Sequence, residues 1–284
     1  MTTYAITGTT GKFGQAALKT LVSLVPASDI IALARNTEKA AAIVPTGVSV
    51  RKGDYTDQVS LTASLQGVDK LLFISSQPGA EVSREQQHAN VVAAAKDAGV
   101  KYIAYTSFPD TPHATTPLAL DHAFTEQAII DAGITHSFLR NNWYLENELS
   151  TIDGSIAGNP FVYAAGDGKA GWSLESNYAE AAAKVLANDQ PKDIYEFSGN
   201  LITYADLADA VKSVSGKEFE VISTDDQSYT NGLKAAGLDD DTAELVTMFQ
   251  TLIHDGNLNV PSTDLADILG RPLNSVADEL KSII

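Results

Sequence analysis

The sequence contains no cysteine, which excludes disulfides and thiolate metal sites. Basic residues are scarce. Lys and Arg number 19 against 36 Asp and Glu, a net charge of −17. Nucleic acid and anionic membrane surfaces are polyanions, so neither is expected as a partner. No apolar run approaches the roughly 20 residues of a membrane-spanning helix. The start, MTTYAITG, lacks a basic segment followed by an apolar run, so no secretion signal is expected there. A cytoplasmic protein is the expectation. His88, His113, His122, His136 and His254 show no metal-ligand spacing, so no metal is expected. A Gly-x-Ser-x-Gly elbow of serine hydrolases is also missing. Nothing speaks to oligomeric state.

What is present is 284 residues with 44% hydrophobic content, ample for a sizeable core. Short apolar runs alternate with helical patterns through the first half. YAIT, DIIALAR, VSVRKGD, DKLLFISS, VKYIAYTS and the start of THSFLRNNWY read as strands. Helical patterns lie between them, two of them stopped by Gly99 and Gly133. Nearly continuous apolar strands alternating with helices predict an α/β fold with a doubly wound parallel sheet, the Rossmann architecture. We expect this domain over residues 1–150, with a strand and helix returning from about 176–200. Residues 151–284 are expected to form a smaller, mostly helical lobe. There, FVYAAGDGKAGW reads as a loop with a short strand, EFEVIS as a strand, and NSVADELKSII as a closing helix with Ser275 and Asp278 spaced for capping.

The stretch YAITGTTGKFGQAAL places Gly8, Gly11 and Gly14 between a strand and a helix. Backbone N–H groups at such a helix start, together with the helix dipole, hold a pyrophosphate. Gly8 permits the sharp turn, Gly11 the approach of phosphate, and Gly14 the packing of helix on strand. An NAD site carries an acid at the end of the second strand, about 20 residues past the glycines. Here that strand ends in Ala34 and Arg35. A guanidinium grips a 2′-phosphate that a carboxylate would repel, so NADP(H) is the expected cofactor. Lys12 and Lys39 add positive potential. Ligands sit at the carboxyl ends of parallel strands. The residues placed there are Asp54 and Tyr55, then Ser75, Ser76 and Gln77, then Ser107 and Phe108, then Asn141, Asn142, Trp143 and Tyr144. Asp54 can take the adenine amino group or cap a helix.

The motifs AITGTTGKFG, ALARN, LQGVDKLLFISS, AAKDAGVKYIAYTS, LRNNWYLEN and AAGDGK together resemble the NmrA-like atypical short-chain dehydrogenases. They are most similar to the NADPH-dependent quinone oxidoreductase branch, which is related to triphenylmethane reductases. The resemblance implies hydride transfer from NADPH to a quinone or similar small conjugated acceptor. By its pattern, Gly8 to Gly14, with Thr10, Lys12 and Phe13, match the pyrophosphate loop, and Arg35 the 2′-phosphate site. Ser75 to Gln77 and Asn141 to Trp143 match cofactor-binding segments, and Lys169 falls in the matching glycine-rich loop. Phe108 and Tyr144 are candidates to stack on a flat acceptor. The Tyr-x-x-x-Lys pair of typical short-chain dehydrogenases is missing from LDHAFTEQAII, where Gln127 stands at a position often lysine in relatives. His122 is the candidate for proton transfer on that helix, and Lys169 is a second catalytic candidate. Two alternatives follow: a non-catalytic NADP(H) sensor of the NmrA type, or a reductase of triphenylmethane or azo dyes.

Overall fold

Short, wholly buried apolar runs build the centre of a parallel sheet. The computed structural model describes residues 2–77 and 81–284, so Pro78 and Gly79 of the ISSQPG segment lie outside the described residues. The first half runs β1 (Tyr4–Ile6), α1 (Lys12–Leu24), β2 (Ile30–Ala34), α2 (Thr37–Ile43), β3 (Ser49–Lys52), α3 (Gln58–Ser64), β4 (Lys70–Phe73), α4 (Arg84–Ala98), β5 (Tyr102–Ser107), α5 (Pro117–Asp131) and β6 (Thr135–Asn141). After it come β7 (Trp143–Tyr144), α6 (Leu149–Ile156), β8 (Phe161–Tyr163), β9 (Lys169–Ser173), α7 (Glu175–Ala187) and β10 (Ile194–Phe197). The chain ends with β11 (Asn200–Thr203), α8 (Tyr204–Ser215), β12 (Val221–Ser223), α9 (Asp226–Ala235), α10 (Asp240–His254), α11 (Asp264–Leu269) and α12 (Val276–Leu280).

The chain divides into two compact units. The first takes residues 1–141, 175–197 and 267–270. Its seven strands lie in the order β10-β6-β5-β4-β1-β2-β3, with every pairing parallel. β1, β2 and β5 are buried along their whole length, as strands covered on both faces must be. A core of Leu71, Phe73, Val91, Ile103, Tyr105 and Phe138 lies against one face. The chain winds outward from β1 to β2 and β3, then returns to place β4 on the other side of β1. That reversal opens a crevice at the carboxyl ends of β1 and β4, the place where doubly wound sheets receive ligands. The predicted glycine stop of α4 is real: Gly99 has φ +76° and donates its N–H to the last-turn carbonyls.

The second unit takes residues 142–174, 198–266 and 271–284. It carries the predicted helices, and in addition a three-stranded sheet, β11-β9-β7, and a parallel pair, β12-β8. FVYAAGDGKAGW therefore supplies two strands rather than one. Close backbone approach explains the glycines at this sheet: a Cβ on Gly199 would sit 2.0 Å from the Trp172 carbonyl oxygen. The closing segment is helical only over Val276–Leu280, and its first-turn Asp278 N–H is capped by the Ser275 hydroxyl as predicted.

Candidate functional site

The glycine loop is shaped for an anion. Gly8 adopts φ +62°, a backbone state open to glycine at little cost. Gly11 is the N-cap of α1, which has no side-chain cap and no acid in its first turn. The opening N–H groups therefore face whatever binds there, with the positive end of the helix dipole behind them. A Cβ on Gly11 would meet only the Gly8 carbonyl oxygen, at 3.4 Å, while one on Gly14 would lie 2.5 Å from that oxygen and 2.7 Å from Thr9 Cα. Gly14 thus lets α1 ride directly on the loop. Replacing Gly14 with alanine is expected to cost about 1–3 kcal/mol, because rigid backbone must move to admit the methyl. Thermal unfolding and NADPH titration of that variant read the two consequences, stability and loop geometry. Lys12 is exposed, Phe13 is buried, and Thr10 accepts a bond from the Gln15 amide through its carbonyl.

Arg35 leaves the end of β2 exposed to solvent. It and Lys52 both pull the Asp54 carboxyl down electrostatically, Arg35 acts on Tyr55 too, so the three converge on one rim of the crevice. Burial raises Asp54, but hydrogen bonds from Thr56 outweigh it and hold the carboxyl below its ordinary range. Those bonds, 3.1 Å from the Thr56 N–H and 2.8 Å from its hydroxyl, make a local turn. The cap of α3 is Asp57 instead. The Tyr55 hydroxyl does not reach outward. It bonds Thr7 Oγ1 at 2.5 Å and the Ile74 carbonyl at 2.7 Å, lacing the ends of β1 and β4 together.

Past β4 the backbone leaves the ladder. The Ser75 N–H donates to Thr106 Oγ1 at 2.8 Å, and the Ser76 N–H to His88 Nε2 at 3.0 Å. His88 opens a polar chain inside the unit. Its Nδ1 lies 2.7 Å from Thr125 Oγ1, and Tyr105 Oη lies 2.8 Å from His122 Nδ1. His122 Nε2 in turn lies 3.1 Å from Arg84 Nη2. Burial, then the Arg84 charge, pushes His88 down to about 3 and His122 well below its ordinary value. Both imidazoles are neutral at physiological pH. His122, a candidate proton donor by sequence, is 5% exposed and fixed between Tyr105 and Arg84. Phe108 is also buried, with its ring 6.1 Å from that of His122.

The same helix, α5, carries a carboxylate that spacing did not single out. Glu126 takes a bidentate grip from Arg140, at 2.8 and 3.0 Å, and bonds from the Ser107 and Thr111 hydroxyls. Arg140 also reaches Glu196 at 2.9 Å. Burial works against the charge on Arg140, yet the bonds it donates to Glu126 and Glu196 hold its pKa above the ordinary value. At Glu196 burial wins and the carboxyl is pushed up despite Arg140. The two directions oppose each other. At 2.9 Å the Arg140–Glu196 contact is a charge-assisted bond, and its attraction works against the burial of Glu196. This network freezes the end of β5 beside Asn141, a buried residue at the end of β6. A lone arginine directly after Phe138 and Leu139 in the strand pattern SFLRN was the available signal.

In the second unit, Asn142 reads backbone on both sides: its amide donates to the Leu258 carbonyl and its oxygen accepts from the Gly171 N–H. The Trp143 indole donates to Glu148 Oε1 at 3.0 Å; Trp172 and Tyr204 donate to the same oxygen. Burial raises the Glu148 carboxyl and these bonds lower it, with burial dominant. Tyr144 is half-buried. Lys169 is exposed and lines a polar cleft of about 430 Å³ with Asp167, Gly168, His254, Gly256 and Asn259. The candidates thus fall into two groups, Gly8 to Asn141 in one unit and Asn142 to Lys169 in the other. Among the described residues, no cluster of acids and histidines suits a metal ion.

Comparison with known proteins gives a consistent picture. The family model described as the NmrA-like family matches residues 2–262. Quinone oxidoreductase 2 of Escherichia coli (strain K12) is 37% identical over 281 residues, covering 98% of each chain. The crystal structure of an Escherichia coli NADPH-dependent quinone oxidoreductase complexed with NADPH superposes with a TM-score of 0.93 over 99% of both chains. That of the Citrobacter sp. triphenylmethane reductase complexed with NADP(H) gives 0.91, at 35% identity, over 99% of this chain and 100% of that one.

Proposed function

Because this chain belongs to the NmrA-like family, we propose that it binds NADPH at the carboxyl edge of its parallel sheet and reduces quinones or similar conjugated acceptors. One observation carries the cofactor half of this reading. The uncapped start of α1 behind Gly8 and Gly11 stands next to a second strand that ends in Arg35 and not in an acid. The names of the two relatives in complex, one with NADPH and one with NADP(H), support it. When bound, the cofactor supplies a hydride from its reduced nicotinamide. The chain's own residues bind and orient. Opening N–H groups of α1 hold the pyrophosphate. Arg35, with help from Lys12 and Lys39, holds the 2′-phosphate. Ser75, Ser76 and Gln77 line the middle of the dinucleotide, and Asn141 belongs with the segment near its nicotinamide. Asn142, Trp143, Lys169, and the stacking candidates Phe108 and Tyr144, complete the set.

The chain offers no dedicated acid of the Tyr-x-x-x-Lys kind, and His122 is neutral and enclosed. Quinone reduction suits this absence, because the reduced oxygens take protons from water. Catalysis then rests on proximity and orientation. The same absence favours one other reading, a sensor that binds NADP(H) without turnover. Purified protein mixed with NADPH is expected to consume the reduced-nicotinamide absorbance only when a quinone is added, with triphenylmethane and azo dyes as a second acceptor panel. Tight dinucleotide binding with no acceptor-dependent oxidation would select the sensor.

A further inference from the structure

We propose that His88 is a positioning residue for the cofactor: its Nε2 lone pair holds the Ser75–Ser76 backbone in the shape that receives the dinucleotide. This rests on the NADPH reading above and adds to it a residue that neither the glycine loop nor the strand-end pattern points to.

The tautomer of His88 is dictated from both sides. On the crevice side the partner is the Ser76 backbone N–H. A backbone N–H only donates, so Nε2 must present its lone pair, and the Ser76 hydroxyl at 3.1 Å turns to the same atom. On the inner side the Thr125 hydroxyl already donates to the Asp121 carbonyl at 2.7 Å. It must therefore accept from His88, and Nδ1 carries the hydrogen. The two requirements agree. The next ring obeys the same logic. Arg84 only donates, so His122 Nε2 accepts and its Nδ1–H points at Tyr105.

A proton wire would need each ring to exchange its two nitrogens' roles. Neither can. The Ser76 amide and the Arg84 guanidinium have no lone pair to offer. Depressed basicity of both rings adds to this. What the network can do is stay rigid. Its rings are buried, His88 packs edge-on against Phe73 at 5.0 Å, and its ring lies 5.8 Å from that of Tyr105. α4 thus projects a fixed acceptor to a segment that has just lost its strand neighbours. Thr106 does the same for Ser75. Residues 75 and 76 sit where β4 ends, directly beside β1 and its glycine loop.

Two substitutions separate the halves of the ring. Asparagine places an amide near the Nδ1 position, and glutamine places one near Nε2. His88→Asn keeps a donor for Thr125 and drops Ser76, while His88→Gln keeps an acceptor for Ser76 and drops Thr125. His88→Asn is expected to weaken NADPH about tenfold or more by calorimetry. His88→Gln should stay within about threefold of the parent protein. Both should melt lower by similar amounts, and in turnover the loss should appear in KM for NADPH with kcat nearly unchanged. Equal weakening by both variants, tracking their melting temperatures, would overturn the proposal. If His88→Asn does not fold, Thr125→Val disturbs the ring from its far side. It should melt lower while keeping NADPH affinity, and a matching loss of affinity would overturn the assignment. Should the folded parent protein itself ignore NADPH, the cofactor reading fails first and this inference with it.

Discussion

Replacing Arg35 with aspartate is expected to cut the preference for NADPH over NADH by roughly a hundred- to a thousandfold. A charge-assisted hydrogen bond contributes about 1.5–3 kcal/mol, which alone accounts for roughly ten- to a hundredfold. The introduced carboxylate then repels a phosphate that carries close to two charges. At a solvated rim each such pair costs about 1 kcal/mol at 4 Å. Arg35 is exposed and caps nothing; Asn36 caps α2 through the Lys39 N–H. Stability should therefore move by no more than about 0.5 kcal/mol. The paired readout is Kd for NADPH and NADH on the same preparation. An unchanged ratio would show that the second strand does not select the nucleotide, and high salt should compress the effect because the site is open to solvent.

Arg140→Met is expected to be the most damaging single change to folding, about 3–5 kcal/mol. Arg140 and Glu126 are both almost fully buried, at 7% and 9% side-chain exposure. Removing the guanidinium leaves Glu126 with two hydroxyls and no counter-charge in the sheet's interior. A buried charge that loses its partner costs far more than the pair contributed. The double change Arg140→Met with Glu126→Gln should recover much of the loss, since it removes that charge too. Urea denaturation of both variants gives the comparison. A double variant as unstable as the single one would show that packing around β6, and not the ion pair, carries the cost.

The parts of this molecule that were legible in its sequence are those where one short stretch contains the whole argument. YAIT followed by three spaced glycines specifies a strand, a turn and a helix start within a dozen residues. Arg35 lies where the second apolar run stops. Each wholly buried strand announces itself by composition alone. β7 and β11 do not. They are two and four residues long, and exist because β9 lies between them. Pairing across the chain makes them strands, and no local pattern records it. The same holds for the polar interior. His88 and His122 come from separate helices, α4 and α5, and meet only because Tyr105 on the intervening strand bonds to both. Glu126 was hidden for a different reason. On a helix a lone glutamate is usually solvated, and only its neighbour in space, Arg140, shows that this one is not.

The phenol of Tyr55 has a consequence for how any nucleotide must enter. By tying Thr7 to Ile74, it sets the gap between two neighbouring strand ends before a guest arrives. Entry then resembles a key meeting a cut lock more than a hand closing. Little ordering entropy remains to be lost at this spot when a guest arrives.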